Sequence, residues 1–349
     1  YENSMIDWLM MALAQSVLPL VGAHTGHAGW MALARPSARG QFLFLLVAYG
    51  CLTWAFVTDD YSVQLAAEHS NSMLPTVYKF TAVWGNHEGS MLLWVLVRSR
   101  RRVVATNLHL CFPHWSGAQV RRQTQRVFVH FMQSWLDRGW LWHAPDAVLR
   151  QRLRLEGAVQ ELQGAQPTVL FAPHFMGLDA AWTALTQQVP RRFATIYSPQ
   201  MNAEADAWIY AGRQRFGKPE MVARLDGAKP IIAAVRAGEP LYLLPDMNFD
   251  PSESLFVPFF GVSACTIPSL SRFAKLGRAK VVPIVTRLTP HGYAVRVLPA
   301  WEHFPTGDLL ADTTRMNQEL ERYIETDPSQ YYWVHKRFKD RPNGERPPY

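Results

Sequence analysis

Thr168-Val-Leu-Phe-Ala-Pro-His-Phe-Met-Gly-Leu-Asp179 is the stretch that decides how this chain folds. Its apolar start, residues 168–172, predicts a short strand of the kind buried on both faces. Pro173 ends the strand, Gly177 permits a tight turn, and a helical pattern follows over about 177–188. His174 therefore stands on an elbow, with Asp179 in the first helical turn. On one continuous helix, residues five apart sit roughly 140° from each other and cannot meet. From an elbow, Asp179 can fold back toward His174. A carboxylate bonded to one imidazole nitrogen fixes the tautomer and raises the basicity of the other. The product is a general base able to take a proton from a hydroxyl. Taken alone, the spacing is a weak sign, since most of the twelve histidines are expected to be structural or solvent-facing.

Outward from this elbow, strand and helix patterns alternate. Strands are predicted at 192–197, 241–244, 281–287 and 293–298, and helices at 203–216, 266–276 and 309–326. Such alternation predicts an α/β fold with a mostly parallel central sheet flanked by helices. Upstream, Ser116 is placed to cap an amphipathic helix over 117–140, with Val120, Val127, Phe131 and Trp135 as apolar repeats. Trp115, Trp135, Trp140 and Trp142 serve either core packing or a membrane-interface face.

Charge is unevenly spread. Residues 1–97 hold Arg35, Arg39 and Lys79 against Glu2, Asp7, Asp59, Asp60, Glu68 and Glu88. Taking these from the chain's 35 basic and 28 acidic residues leaves 32 and 22, so residues 98–349 carry a net +10. A basic body calls for an anionic partner, either an acidic lipid or an acidic carrier protein. No nucleic-acid module is present. Cys51, Cys111 and Cys265 lie far apart with no CxxC, which is neither a disulfide framework nor a zinc site and fits a reducing compartment.

The head is apolar. Residues 5–23 carry one charge, Asp7, and residues 41–57 carry none. Both approach the roughly 20 residues that span a bilayer, with a buried core helix as the alternative. Arg35 and Arg39 place the loop between them in the cytoplasm. The body then begins on the far side unless residues 80–97 cross as well, and Asn86, His87 and Glu88 make that crossing marginal. Arg98-Ser-Arg-Arg-Arg102 reads as a cytoplasmic flank or headgroup patch.

Seven stretches carry a resemblance: RSRRRVVATNLHLCFPHWS (98–116), LFAPHFMGLD (170–179), IYSPQMN (196–202), GRQRFG (212–217), LYLLPDMNFDP (241–251), SLFVPFFGV (254–262) and QYYWVHKRFKDRP (330–342). In order and spread, residues 98–349 resemble the lipid A biosynthesis acyltransferases of lauroyl/myristoyl type, part of the wider glycerolipid acyltransferase group. The resemblance implies transfer of an acyl chain from acyl carrier protein to a hydroxyl of a lipid A precursor, without a cofactor or metal, at the cytoplasmic face of a bacterial inner membrane. On this reading His174 deprotonates the hydroxyl and Asp179 holds His174. Arg213 and Arg215 bind phosphate or stabilise charge, unless they are solvent-facing helix arginines. Asp246 is either a second site carboxylate or an ordinary strand-end turn residue. Asn202 matches a motif asparagine. Lys336 and Arg337 meet a headgroup or the acidic carrier, unless they are a solvated basic tail. One departure is visible: many relatives carry Arg where this chain has Ser198, which puts substrate identity in doubt. An acyltransferase acting on another glycolipid or glycerolipid fits equally.

Residues 1–97 carry a different likeness. QSVLPLVGA (15–23), MALARPSARGQFLFLLVAYGCLTWAFVTDDYSV (31–63) and HSNSMLPTVYKFTAVWGNHEGSMLLWVLV (69–97) resemble the start of the large haem-lyase subunit of cytochrome c-type biogenesis. By themselves they imply a membrane assembly factor for cytochrome c maturation, in which His174 and Asp179 have no use. The switch at Val97/Arg98, the truncated third span and the first residue Tyr1 lead to the hypothesis of a joined or incomplete sequence, natural or arising from assembly. A DNA read continuous across codons 97 and 98 in the source genome tests it; only an interrupted read supports an assembly error.

Overall fold

The computed structural model describes residues 34–63, 66–67, 72–73, 98–200 and 203–349. The expected spans at 5–23 and 80–97, and Asn202, lie outside the described residues. The chain divides into two compact units, Tyr1–Arg100 and Arg101–Tyr349.

In the first unit, helix α1 (Ala34–Val57) covers the uncharged stretch expected to cross a bilayer. Leu52, Ala55 and Phe56 pack with Val63 and Ala66 in a small apolar cluster. Among the described residues no helix is long and apolar enough to cross a membrane. A helix thus stands where one was expected, and the crossing itself is not part of the described structure.

The second unit opens within α2 (Arg98–Cys111), which α3 (Gly117–His143) follows. Ser116 caps α3 as expected. Its hydroxyl accepts from the Gln119 amide while the Gln119 side chain accepts from the Ser116 N–H, so two otherwise orphaned donors are satisfied. The helix runs past Trp140 to His143, one turn further than its apolar repeat indicated. A short α4 (Asp146–Arg152) leads into the sheet.

Seven strands form that sheet: β1 (Leu153–Gly157), β2 (Thr168–Phe171), β3 (Ala194–Tyr197), β4 (Glu220–Ala223), β5 (Leu241–Leu243), β8 (Lys280–Thr289) and β9 (Gly292–Val297). Their order is β1-β9-β8-β2-β5-β3-β4, and all neighbours run parallel except β8 and β9. The predicted α/β class with a mostly parallel sheet is what the chain adopts. Every residue of β2 is buried, as a central strand covered on both faces requires. Helices α5 (Leu178–Gln188), α6 (Ala203–Arg213), α7 (Lys229–Arg236), α8 (Ser269–Gly277) and α9 (Leu309–Glu325) supply the crossovers and flanks. Ala180, Ala181, Ala184 and Leu185 of α5 bury against Leu170, Val282, Ile284 and Val295 of the sheet.

One predicted element is corrected. The helix expected from residue 266 begins at Ser269, because Thr266 ends β7 (Val262–Thr266), which pairs antiparallel with β6 (Leu255–Phe259) in a separate hairpin. Its turn places Phe260 and Gly261 at positive φ, and the glycine there is the local sign of a hairpin. Strands β1 and β4, at the two sheet edges, and helix α7 were not foreseen.

The turn carrying His174 lies hard against β8 and β9. A Cβ built on Gly177 would stand 2.6 Å from Thr286 Cγ2 and 2.7 Å from Tyr293 Cδ1. No larger residue fits without moving that wall. Gly177→Ala should destabilise the protein by about 1–3 kcal/mol, the usual range for overpacking. The check is a lower urea midpoint at unchanged slope.

Candidate active site

His174 and Asp246 meet because of strand register. Within the parallel pair β2–β5, Phe171 stands opposite Leu243. Each strand then runs through one further apolar residue and a proline, Ala172-Pro173 and Leu244-Pro245, before its polar residue. Three residues past paired positions, two side chains extend from the same edge of the sheet.

His174 Nδ1 lies 2.8 Å from Asp246 Oδ1. The backbone N–H of His174 donates to Asp246 Oδ2 at 3.1 Å, and the Tyr331 hydroxyl donates to the same oxygen at 2.9 Å. Asp246 is wholly buried. Burial alone would raise its carboxyl; the facing His174 imidazole and the hydrogen bonds from His174 and Tyr331 overcome that and hold it below the ordinary carboxylate range. An ionised carboxylate only accepts, so neutral His174 carries its proton on Nδ1 and leaves Nε2 as the basic nitrogen.

Tyr331 arrives on a C-terminal segment laid along the elbow. Tyr332 N–H donates to His174 O at 2.9 Å, Met176 N–H donates to Gln330 O at 2.8 Å, and Phe175 bridges to Tyr331. Asn107 of α2 fixes the same segment by donating to Trp333 O and His335 O, both at 2.8 Å.

Asp179, expected to hold His174, is engaged elsewhere. Its Oδ2 accepts from Arg138 Nε and its Oδ1 from Arg213 Nε, each at 2.9 Å. Burial raises this carboxyl, and Arg213 and Arg138 together pull it below the ordinary range. The sequence reading is thus corrected in its pairing: both carboxylates belong to the site, and Asp246 is the one bonded to His174.

His174, Asp179 and Arg213 line a cavity of about 780 Å³, a volume within the range of small-molecule sites. Leu178, Trp182, Ile196, Val222, Ile231 and Phe273 give it apolar walls. Gly212 brings α6 onto α3 here, since a Cβ on it would stand 2.2 Å from the Trp142 ring.

The sequence matches the family described as bacterial lipid A biosynthesis acyltransferase over residues 77–340. The chain belongs to that family. It is 32% identical over 266 residues to a lipid A biosynthesis acyltransferase of Haemophilus influenzae, covering 74% of this chain and 82% of that protein. It is 31% identical over 277 residues to the lipid A biosynthesis lauroyltransferase of Escherichia coli, covering 77% and 87%. A stretch of 89 residues is 64% identical to the cytochrome c-type biogenesis protein CcmF of Pseudomonas aeruginosa. That stretch is 26% of this chain but 14% of CcmF, so the chain spans a small part of that protein.

The remaining predicted acyltransferase residues divide. Arg213 reaches the cavity. Arg215 does not: it donates to Leu141 O at 3.1 Å and to Ala144 O, satisfying the carbonyl end of α3, which corrects its reading as a phosphate ligand. Arg337 is 2% exposed and donates to Cys265 O and Thr266 Oγ1, both at 2.6 Å, so it staples the C-terminal segment to β7 and is corrected from a headgroup contact. Lys336 is exposed, with its ammonium 5.7 Å from the Tyr349 ring, and is not among the cavity-lining residues. Ser198 does line the cavity. Tyr331 and Arg138 were missed. The strand-Pro-polar pattern shared by residues 170–174 and 242–246 was the available sign for pairing Asp246 with His174; Arg138 had none.

The two depressed carboxyls fix how stability depends on pH. A folded value below the unfolded one contributes stability that is complete above about pH 4 and is lost as the pH falls through the folded value. Asp179→Asn leaves two arginines facing no charge, at a cost of about 3–5 kcal/mol at pH 7. That deficit should shrink in urea titrations run below about pH 4, where the parent's carboxyl takes up its proton in the unfolded chain before it does so in the folded one. An undiminished deficit at the acid end would count against the ion-pair reading.

Proposed function

We propose that this chain transfers a fatty acyl group from the thioester of acyl carrier protein to a hydroxyl of a lipid A precursor, at the cytoplasmic face of a bacterial inner membrane. The observation that carries the reading is the His174–Asp246 pair standing at a large cavity with apolar walls. Family membership supports the reaction class, and the named relatives support the acceptor. The net +10 of residues 98–349 supports an acidic carrier and anionic lipid as partners.

The reaction needs no covalent enzyme intermediate. His174 Nε2 takes the proton of the acceptor hydroxyl as its oxygen attacks the thioester carbonyl. Asp246 stabilises the imidazolium that forms. The tetrahedral adduct collapses, the C–S bond breaks, and the departing thiolate takes the proton back from Nε2. The products are an ester and a free thiol. Arg213, on the wall of the same cavity, supplies positive charge for a substrate phosphate or for the oxyanion. Leu178, Trp182 and Ile231 offer the walls against which a hydrocarbon chain leaves water.

His174→Ala should lower turnover by about 10²–10⁴-fold, the usual contribution of a positioned base. The assay supplies acyl carrier protein thioester and lipid A precursor to the full chain and follows the acylated lipid by mass spectrometry. A variant as active as its parent would sink the mechanism.

A further inference from the structure

We infer that Asp179 acts through Arg213 and not through His174, and that Arg138 completes the same device. Together the three side chains form a clamp of net positive charge that presents the Arg213 guanidinium to an anionic oxygen in the cavity. The identity of that guest rests on the acyl-transfer reading; the assignment of the two carboxylates does not.

Three observations carry this. First, both Asp179 oxygens are occupied, one by each arginine Nε at 2.9 Å, while His174 Nδ1 is bonded to Asp246 at 2.8 Å. Each carboxylate thus has its own hydrogen-bonding partners. Second, two guanidiniums facing one carboxylate leave one positive charge uncompensated. Arg138 is turned from the cavity: its guanidinium lies 3.8 Å from the centre of the Trp135 ring and 5.6 Å from that of Trp142, and among the described residues its buried Nη1 has no hydrogen-bond partner. Arg213 lines the cavity, and among the described residues nothing accepts from its two Nη groups. The surplus charge is therefore offered to the cavity by Arg213. Third, the backbone behind Arg213 is fixed, because Trp182 Nε1 donates to Arg213 O at 2.8 Å and Gly212 is pressed against Trp142. A side chain held at both ends is poised before the guest arrives, which is what electrostatic stabilisation of a developing charge requires.

The anionic oxygen has two possible sources, a phosphate on the lipid acceptor or the thioester carbonyl as it becomes an oxyanion. Both present an oxygen to the same donors.

The test has two arms, both on the full chain in detergent. In the first, proton NMR follows the Nδ1–H of His174, which a carboxylate acceptor shifts far downfield of the amide region. That resonance should vanish in Asp246→Asn and persist in Asp179→Asn and Arg138→Met. Its loss in Asp179→Asn with survival in Asp246→Asn overturns the inference. Should Asp179→Asn fail to fold, Asp246→Asn and Arg138→Met decide, and a signal lost in Arg138→Met overturns it equally.

The second arm is kinetic. Arg213→Met should lower kcat by about 10²–10³-fold at little-changed KM if the guest is the oxyanion. If the guest is phosphate, it should raise KM only for the phosphorylated acceptor. Arg138→Met should reproduce the same pattern at smaller amplitude, and parent-like kinetics in Arg138→Met would overturn its part in the clamp. A parent without turnover speaks against the proposed function alone, and the NMR arm then stands by itself.

Discussion

The structure depends on a carboxylate sealed from solvent. Asp246 is wholly buried, and an ion in that setting is tolerable only if protein groups replace its hydration. The replacements come from the elbow after β2, through the ring and backbone N–H of His174, and from the C-terminal segment, through Tyr331. Three stretches distant in sequence are thereby tied at one point. The same ties that make the ion tolerable also set the tautomer of the imidazole, so the stability of the elbow and the chemistry of the base come from one set of hydrogen bonds.

A second buried carboxylate lies on the wall of the cavity that His174 also lines, and it follows different rules. Asp179 is balanced by arginines, which stay charged at any pH of interest, whereas Asp246 is balanced by a group whose charge changes when it takes a proton. The first arrangement is a fixed field, and the second is responsive. A site that must both stabilise negative charge and move a proton has use for one of each.

The sheet and the elbow were legible because they rest on local rules: an apolar run, a proline that stops it and a glycine where β8 and β9 press close. His174 and Asp179 were both found at the cavity on the strength of that stretch. Their supposed pairing was not legible, since which acid meets the imidazole depends on the alignment of β2 with β5, more than seventy residues apart in the chain. Arg138 was invisible for a related reason: on α3 it has the spacing of any amphipathic helix arginine, and only the packing of α3 beside α5 brings it to Asp179. Arg215 and Arg337 erred the other way. Basic residues inside family motifs read as ligands, yet Arg215 spends its donors on backbone carbonyls and Arg337 on one carbonyl and the Thr266 hydroxyl. Strands β1 and β4, at the sheet margins, and the β6–β7 hairpin are short, and brief half-buried runs leave weak periodic patterns.

The in-step endings of β2 and β5 also say what this architecture leaves free. Everything between the two strands, namely α5, β3, α6, β4 and α7, is a detour that leaves the carboxyl end of β2 and re-enters the sheet at the amino end of β5. Lengthening or shortening the loops of that detour leaves base and acid face to face, because their meeting is set by a ladder of backbone pairs and not by the path between them. A slip of a single residue in either strand undoes the meeting at once. Variation is thus cheap in the loops that shape the cavity and ruinous in the two strands that hold His174 against Asp246.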